Sequence, residues 1–559
     1  MPAIRRLSIA LIALTIAACA TGTGTRDGVT ISVIGTNDVH GALAANGKAG
    51  GLVTVSAYVD ALRRARAADD GAVLLIDAGD MWQGTLESNL GEGEAVVEAY
   101  NALGVTAAAI GNHEFDFGPA GKNAIPMSPD EDPRGNLKQR AREARFPLLA
   151  ANLIDAATGA PVGWDNVQPS VMIDVAGIKV GVVGVLTANA LTTTIATNVG
   201  GLEIAPLADT ITTQASRLRD DGAALIIVAA HAGGHCTEFS DPEDLSSCDM
   251  SAEIMQVAQA LEPDLVDYIV AGHHHYPIAH VVNGIAITSN KASTFSFGRV
   301  DFLVDRDQHA VISRKVFAPQ QTAPGTRDQY EGLPLVANPD VEHVVTSAIA
   351  RAEALKQEKL GVTLTAPFEL RPDIEAAIGN LVTEAMLDSF DAEIAIHNVF
   401  GGIRSGLPAG ELTYGAVFEM FPFDNIVSIH ELSGRDLRQV VARHVHTRRL
   451  PGFAGMRVFV SCNESQMTIE MRLDDGRIVD DDDRIRVIAN DFLAVGGDDI
   501  LTPAIPDAGF ELHYDLPSTR DALVSWFQAG PDTLAPKDFQ THDVPKWNLP
   551  DPLPANCQY

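Results

Sequence analysis

The chain has 559 residues, too many for one hydrophobic core, so two or more domains are expected. Hydrophobic residues make up 46% of it, with 48 Gly and 30 Pro, which excludes a disordered or fibrous chain. A formal charge of −33 repels polyanions and argues against nucleic acid as a partner, while a small anionic substrate stays possible where metal ions or local arginines reverse the field.

The first element reads as an export signal. "MPAIRRLSIALIALTIAAC" places Arg5 and Arg6 before an apolar run, short for a membrane span, that ends in small residues at Cys19. "IAAC" resembles a bacterial lipobox, in which Cys19 is acylated and becomes the mature N-terminus; the alternative is cleavage shortly afterwards and free secretion. Residues 1–19 are therefore expected to be a lipoprotein signal, and the protein to be periplasmic or in the cell envelope, touching membrane only through its anchor. Export permits disulfides. Cys236 and Cys248 bracket the short polar loop "CTEFSDPEDLSSC" and are the favoured pair, which leaves Cys462 with Cys557 to tie down the C-terminus. Free thiols are the alternative, and without a CxxC spacing a zinc cluster is disfavoured.

From residue 29 the runs "VTISVIG", "AVLLI", "VTAAAIG", "VMIDVAGIKVGVVGVL", "ALIIVAA" and "YIVAG" read as strands buried on both faces. Amphipathic segments such as "LVTVSAYVDALRRARA" and "PLADTITTQASRLRD" lie between them, which predicts a layered α/β domain over 27–316. Residues 317–340, "FAPQQTAPGTRDQYEGLPLVANPD", break the pattern and are expected to link it to a second domain over 341–559. That domain opens on the helical stretch "VEHVVTSAIARAEALKQEKLG" and continues in mixed helix and strand. The run "DDDD" at 480–483 reads as a solvated turn, since the ligand order of a calcium loop is absent.

The polar residues fall where the apolar runs end. "ISVIGTNDVHG" delivers Asp38 and His40, and "LLIDAGD" delivers Asp77 and Asp80. "AAAIGNHEFDFG" delivers Asn112, His113, Glu114 and Asp116; "IIVAAHAGG" delivers His231; "IVAGHHHYP" delivers His273, His274 and His275. A lone His after a strand is usually a hydrogen-bonded cap. Five such ends, rich in Asp, His and Asn, point instead to a shared metal centre at one sheet edge. The mixed carboxylate, imidazole and amide set suits Zn²⁺, Mn²⁺ or Fe, and it is too large for one ion. Two ions sharing a carboxylate would hold a bridging hydroxide, a nucleophile suited to phosphorus.

The order D-x-H, GD, GNHE, H and GH-x-H resembles the calcineurin-like dinuclear metallophosphoesterases. "TNDVHG … DAGD … GNHEFDFG" is similar to their 5′-nucleotidase branch, which includes UDP-sugar hydrolases. The resemblance implies a four-layer first domain, a β-sandwich flanked by helices, followed by an α+β substrate-binding domain. It implies two divalent metal ions, zinc, manganese or similar. Asp38, His40 and His275 would bind one, Asn112, His231 and His273 the other, with Asp80 bridging. His113 and Asp116 match the catalytic dyad, whose imidazole stabilises charge on the transferring phosphoryl group. Asp77 and Glu114 fit no ligand position and are expected to anchor loops. In an extended segment alternate side chains share a side, so His273 and His275 would face the metals and His274 away.

The resemblance continues into the second domain. "NDFLAVGGDD" and "FPFDNIV" imply that Phe492 and Phe423 sandwich a nucleobase while Asp498 holds the ribose. Either Phe alone would read as core packing. "NVFGGIR" implies Asn398 and Arg404 as substrate contacts but carries one extra residue before the Gly pair. Arg371, in "RPDIEAAIGNL", stands one residue further from Glu375 than the family spacing, and Gly455, in "FAGMRV", is a candidate for the slot wall. The resulting expectation is an exported phosphohydrolase acting on nucleoside 5′-monophosphates. Alternatives that keep the chemistry are UDP-sugars, NAD, nucleoside di- or triphosphates and 2′,3′-cyclic nucleotides. More distant ones are a thiosulfohydrolase and a non-catalytic surface lipoprotein.

Overall fold

A computed structural model describes residues 28–559 except 122, 372–374, 446–449, 464–465, 508, 511, 513–515, 541–544, 551–556 and 558. The expected export signal and Cys19 lie outside the described residues. The strands of the first half are β1 (Gly28–Thr36), β2 (Ala72–Asp77), β3 (Ala107–Ala109), β4 (Leu148–Leu149), β5 (Val167–Gln168), β6 (Ser170–Val175), β7 (Ile178–Leu186), β8 (Leu225–His231), β9 (Tyr268–Ala271), β10 (Ile278–Val282), β11 (Ile285–Ser289), β12 (Ser296–Asp305) and β13 (Ala310–Gln321); the expected apolar runs form β1, β2, β3, β6 with β7, β8 and β9. One sheet has the order β13-β12-β1-β2-β3-β4-β5 and the other β10-β11-β9-β8-β7-β6. Val29, Ile31 and Val33 of β1 point between the sheets and meet Val180, Val182, Ile227 and Val270, while Ile34 points outward onto the helices. Helices Gly51–Ala67 and Glu94–Leu103 cover one outer face, and Leu207–Asp220 with Glu253–Ala260 cover the other. The result is the four-layer α/β architecture implied by the sequence.

Register sets where the polar loops emerge. In the parallel β1–β2 pair Thr36 lies opposite Asp77, so the loops carrying Asp38, His40 and Asp80 leave side by side. In the parallel β8–β9 pair Ala230 lies opposite Ala271, which puts His231 beside the start of the triple-histidine loop. Asp38 N donates to Gly79 O (2.9 Å) and His40 N to Asp80 O (3.0 Å), pinning the first two loops together.

The second half contains three small sheets around the helix Ala377–Ser389 and the helix Gly434–His444. Both expected disulfides are formed, Cys236–Cys248 and Cys462–Cys557. The junction differs from the sequence reading. Residues 317–321 continue β13, and Arg299 ties Tyr330 and Glu331 onto the first half. The helix Pro339–Lys356, expected to open the second domain, packs against the first. Its Val341, Val345 and Ala348 share one helical face and join the core formed by helices Gly51–Ala67 and Glu94–Leu103. Its last turn meets both halves: Ala352 contacts Leu86 and Phe418, and Lys356 Nζ pairs with Glu87 (3.0 Å) and Glu419 (3.3 Å).

Candidate active site

The strand ends bring all seven expected metal ligands together. The ligand atoms of Asp38, His40 and His275 lie within 4.8 Å of one another, as do those of Asp80, His231 and His273. Asn112 Oδ1 joins the second group, 3.0 Å from His231 Nε2 and 3.1 Å from His273 Nδ1. Asp80 Oδ2 stands between the groups, 3.1 Å from His231 Nε2 and 4.0 Å from His40 Nε2. Asp38, His40, Asp80, His273 and His275 all have positive φ, between 48° and 75°. Each such non-glycine residue costs about 1–3 kcal/mol, which the surrounding packing and hydrogen bonds must offset.

The donor chemistry fits divalent cations. His40 Nδ1 donates to Gln83 O (2.9 Å) and His231 Nδ1 to Ala78 O (2.8 Å), which leaves each Nε2 lone pair aimed at the centre. His40 Nε2 and His275 Nε2 converge to 3.0 Å, an arrangement that a shared cation satisfies. Two buried carboxylates face this group of imidazoles. Burial and the neighbouring His275 hold His40 down at about 3. At His231 burial acts the other way from the Asp80 carboxylate, and the carboxylate wins, pushing the imidazole up to about 10.

Asp77 and Glu114 hold the loops, as expected. Glu114 accepts from Asp80 N (2.8 Å), Met81 N (2.7 Å) and Gly111 N (2.7 Å), joining two ligand loops through one carboxylate. Burial, then Asp80, pushes its carboxyl up to about 8. Asp77 accepts from Thr36 Oγ1, Tyr100 OH and Gly79 N, and burial raises it to about 6. Gly111 is required by the approach of these loops, because a Cβ there would overlap the Asp80 carboxylate.

The triple histidine divides as expected but for another reason. Residues 272–275 are not extended: His273 (φ 75°) and His275 (φ 60°) adopt left-handed turn geometry, so two local reversals rather than strand alternation separate the side chains. The His274 ring packs flat against Gly233, where a Cβ would overlap it.

Beside these candidate ligands, His113 Nδ1 donates to Asp116 Oδ2 (2.6 Å), and His113 N donates to Asp80 Oδ1 (2.9 Å). Burial disfavours the imidazolium, but Asp116 and Asp80 together raise its pKa above the ordinary value. Thr194 Oγ1 donates to the other oxygen of Asp116 (2.7 Å). No sequence signal marks Thr194, which lies in a run of threonines on a loop far from the dyad in the chain.

The second half closes over this centre. Arg404 Nη2 lies 3.5 Å from His113 Nε2, and its guanidinium is 5.0 Å from the Phe423 ring centre. The Phe423 ring stacks on His113 at 5.9 Å. One cleft is lined by Asp80, Asn112, His113, His273 and His275 from the first half, and by Asn398, Arg404, Phe423, Phe492 and Asp498 from the second. Asn398 Nδ2 donates to Asp498 Oδ2 (2.6 Å), while Gly401, at φ 88°, bends the chain between Asn398 and Arg404. Gln83 carries no motif signal either: buried at the floor, it donates to Pro422 O (3.0 Å), beside Phe423.

Arg371 and Gly455 do not reach the cleft. Arg371 is exposed and pairs loosely with Glu369 at 3.7 Å. Gly455 makes the bend between strands Gly452–Ala454 and Met456–Asn463, facing the Glu393 carbonyl.

Residues 31–277 match the family model of the calcineurin-like phosphoesterases, and residues 356–504 match that of the 5′-nucleotidase C-terminal domain. The chain is 25% identical over 507 residues to Protein UshA of Escherichia coli (strain K12), covering 84% of this chain and 86% of that one. It is 24% identical over 494 residues to Endonuclease YhcR of Bacillus subtilis (strain 168), covering 84% of this chain but spanning only 38% of that protein. The crystal structure of a 5′-nucleotidase precursor from Thermus thermophilus superimposes with a TM-score of 0.69 at 22% identity, over 90% of this chain and 99% of that one.

Proposed function

The chain belongs to the calcineurin-like phosphoesterases that carry a 5′-nucleotidase C-terminal domain and is a metal-dependent phosphoric ester hydrolase; from that premise we propose that it releases phosphate from nucleoside 5′-monophosphates. The observation that carries the reading is the single cleft in which the carboxylate and imidazole cluster, the His113–Asp116 pair and two aromatic rings all open. Asp38, His40 and His275 would hold one divalent cation and Asn112, His231 and His273 another, with Asp80 between them. Bound there, such cations supply Lewis-acid charge and make a shared water acidic at neutral pH.

The chain's own residues do the rest. Asp116 holds the His113 imidazole protonated, with Nε2 turned toward Arg404 and the cleft, so the pair stabilises charge on the phosphoryl oxygens or the leaving oxygen. Arg404 adds a second fixed cation on the side of the nucleoside. Phe423 and Phe492 offer flat faces for a base, and Asp498, oriented by Asn398, suits ribose hydroxyls. A sulfur carrier would have no use for paired aromatics, which disfavours a thiosulfohydrolase. A second reading, a nucleotide joined through pyrophosphate to a sugar, is supported by another chamber between the halves. It opens behind His40, His275 and Arg404 and is lined by Asn46, Ser293 and Ser405 with Glu87 and Glu419.

In this division of labour the residues through about 316 carry catalysis, and those beyond the Pro339–Lys356 helix bind the nucleoside. The export signal and the two formed disulfides support a cell-envelope location; Cys19→Ser should release the protein from the membrane fraction if Cys19 is the anchor. The function itself is tested by phosphate release from a panel of nucleoside mono-, di- and triphosphates and UDP-sugars, each with defined metals, run beside His113→Ala. Turnover of monophosphates, lost in the variant, supports the reading. No turnover of any nucleotide with any metal overturns it.

A further inference from the structure

Phe423 stands on a loop and Phe492 on the short helix Asp491–Ala494, two separate segments, so something must fix the gap between them. Neither ring contributes that itself, since each is partly exposed to the cleft. Asp491 precedes Phe492, is buried, and does not line the cleft. Its Oδ1 accepts three hydrogen bonds: from Phe492 N (2.9 Å), from Ile426 N (3.1 Å) and from Asn425 Nδ2 (3.0 Å). Its own N–H donates to Ile426 O (2.9 Å). One residue thereby joins the backbone at Phe492 to the segment just beyond Phe423.

The other flank of that segment is held by Arg520, at the start of the helix Thr519–Ala529. Arg520 Nη1 donates to Phe423 O (3.1 Å) and Phe421 O (3.4 Å), and Nη2 bonds the Asp424 carboxylate. Its guanidinium lies 4.7 Å from the Phe418 ring centre, which leaves it little freedom. Thr519 N and Oγ1 both donate to Asn425 O. Loop 421–426 is therefore gripped from both sides by buried charged groups that do not themselves line the cleft. Ordinary loop satisfaction would not require a carboxylate and a guanidinium aimed at the same six residues. We propose that Asp491 and Arg520 are positioning residues that set the separation of Phe423 and Phe492, and with it the affinity for the nucleoside part of the substrate.

This inference rests on the reading that the two rings receive a base, so the test includes Phe492→Ala. The measurements are the inhibition constants of a free nucleoside and of inorganic phosphate, with KM and kcat for the monophosphate. Base stacking of this kind is worth enough to predict a tenfold to hundredfold rise in nucleoside Ki and in KM for Asp491→Ala. Phosphate Ki should stay within about twofold and kcat within about threefold, a split that general destabilisation would not produce. Asp491→Asn keeps an acceptor oxygen in place and should restore most of the affinity. Should Asp491→Ala fail to fold, Arg520→Lys, which cannot make all three contacts, carries the same expectation of raised nucleoside Ki at constant phosphate Ki. The inference is overturned if Phe492→Ala weakens the nucleoside while neither Asp491→Ala nor Arg520→Lys does. If Phe492→Ala also leaves nucleoside Ki unchanged, the base-slot reading falls, and this inference with it.

Discussion

The two walls of the cleft are built differently. In the first half every candidate ligand ends a buried strand or follows one by a few residues, and strand register places it; Asp38, Asp80 and His231 are almost wholly buried. In the second half the candidate contacts ride on loops, with Phe423 and Phe492 half-buried and Asp498 exposed. Chemistry that needs fixed charge sits on the rigid wall, where strained backbone can be held. The proposed recognition of the nucleoside falls on the wall that is easier to alter. The contrast predicts that first-half substitutions abolish turnover while second-half substitutions shift affinity.

The largest effect should come from Asp80→Ala, which removes the carboxylate between the two ligand groups and an acceptor for His113 N; kcat should fall about 10³-fold or more with fold retained by circular dichroism. His113→Ala should lower kcat by about 10²–10⁴-fold, typical for loss of a positioned acid, with KM little changed. Phe492→Ala should break the pattern in the opposite sense, raising KM about tenfold or more at nearly constant kcat. An equal loss of kcat there would erase the distinction between the walls.

A stability prediction sharpens the same comparison. His397 is fully buried in the second half beside Phe421, and neither ring nitrogen has a hydrogen-bond partner among the described residues. Burial lowers its pKa to about 3, against about 6.5 when unfolded. Stability is therefore full above pH 6.5 and declines as pH falls from there toward 3, because only the unfolded chain takes up the proton. The loss should reach about 2 kcal/mol by pH 5, measurable in denaturant melts. His397→Leu should flatten that dependence. The smallest effects belong to His274→Ala and Arg371→Ala, each within about threefold of parent activity, since one side chain packs on Gly233 and the other is exposed beside Glu369.

The same contrast explains what is legible in the sequence. Asp38, Asp80, Asn112, His231 and His273 stand out because each closes an apolar run, and parallel register converts that linear rule into proximity. Phe423 and Phe492 are legible only through motif resemblance, since nothing local distinguishes them from core phenylalanines. Arg371 and Gly455 come from the same source and do not line the cleft: Arg371 is exposed beside Glu369, and Gly455 makes a bend between two strands. Thr194 and Gln83 bond to partners distant in sequence and leave no local trace; Asp491 stands inside "NDFLAVGGDD", but nothing local reveals its bonds to Asn425 and Ile426. The helix Pro339–Lys356 follows a Pro- and Gly-rich break and so reads as the opening of the second domain, whereas its apolar face belongs to the preceding core.

The central claim is that two cations, held by one bridging aspartate, make this cleft a phosphohydrolase site. Metal-free protein titrated with Mn²⁺, with phosphate release from a nucleoside 5′-monophosphate as the signal, tests it most directly. The account predicts activity that rises to a plateau at two equivalents per chain. A plateau at one equivalent, or release that needs no metal, would contradict it.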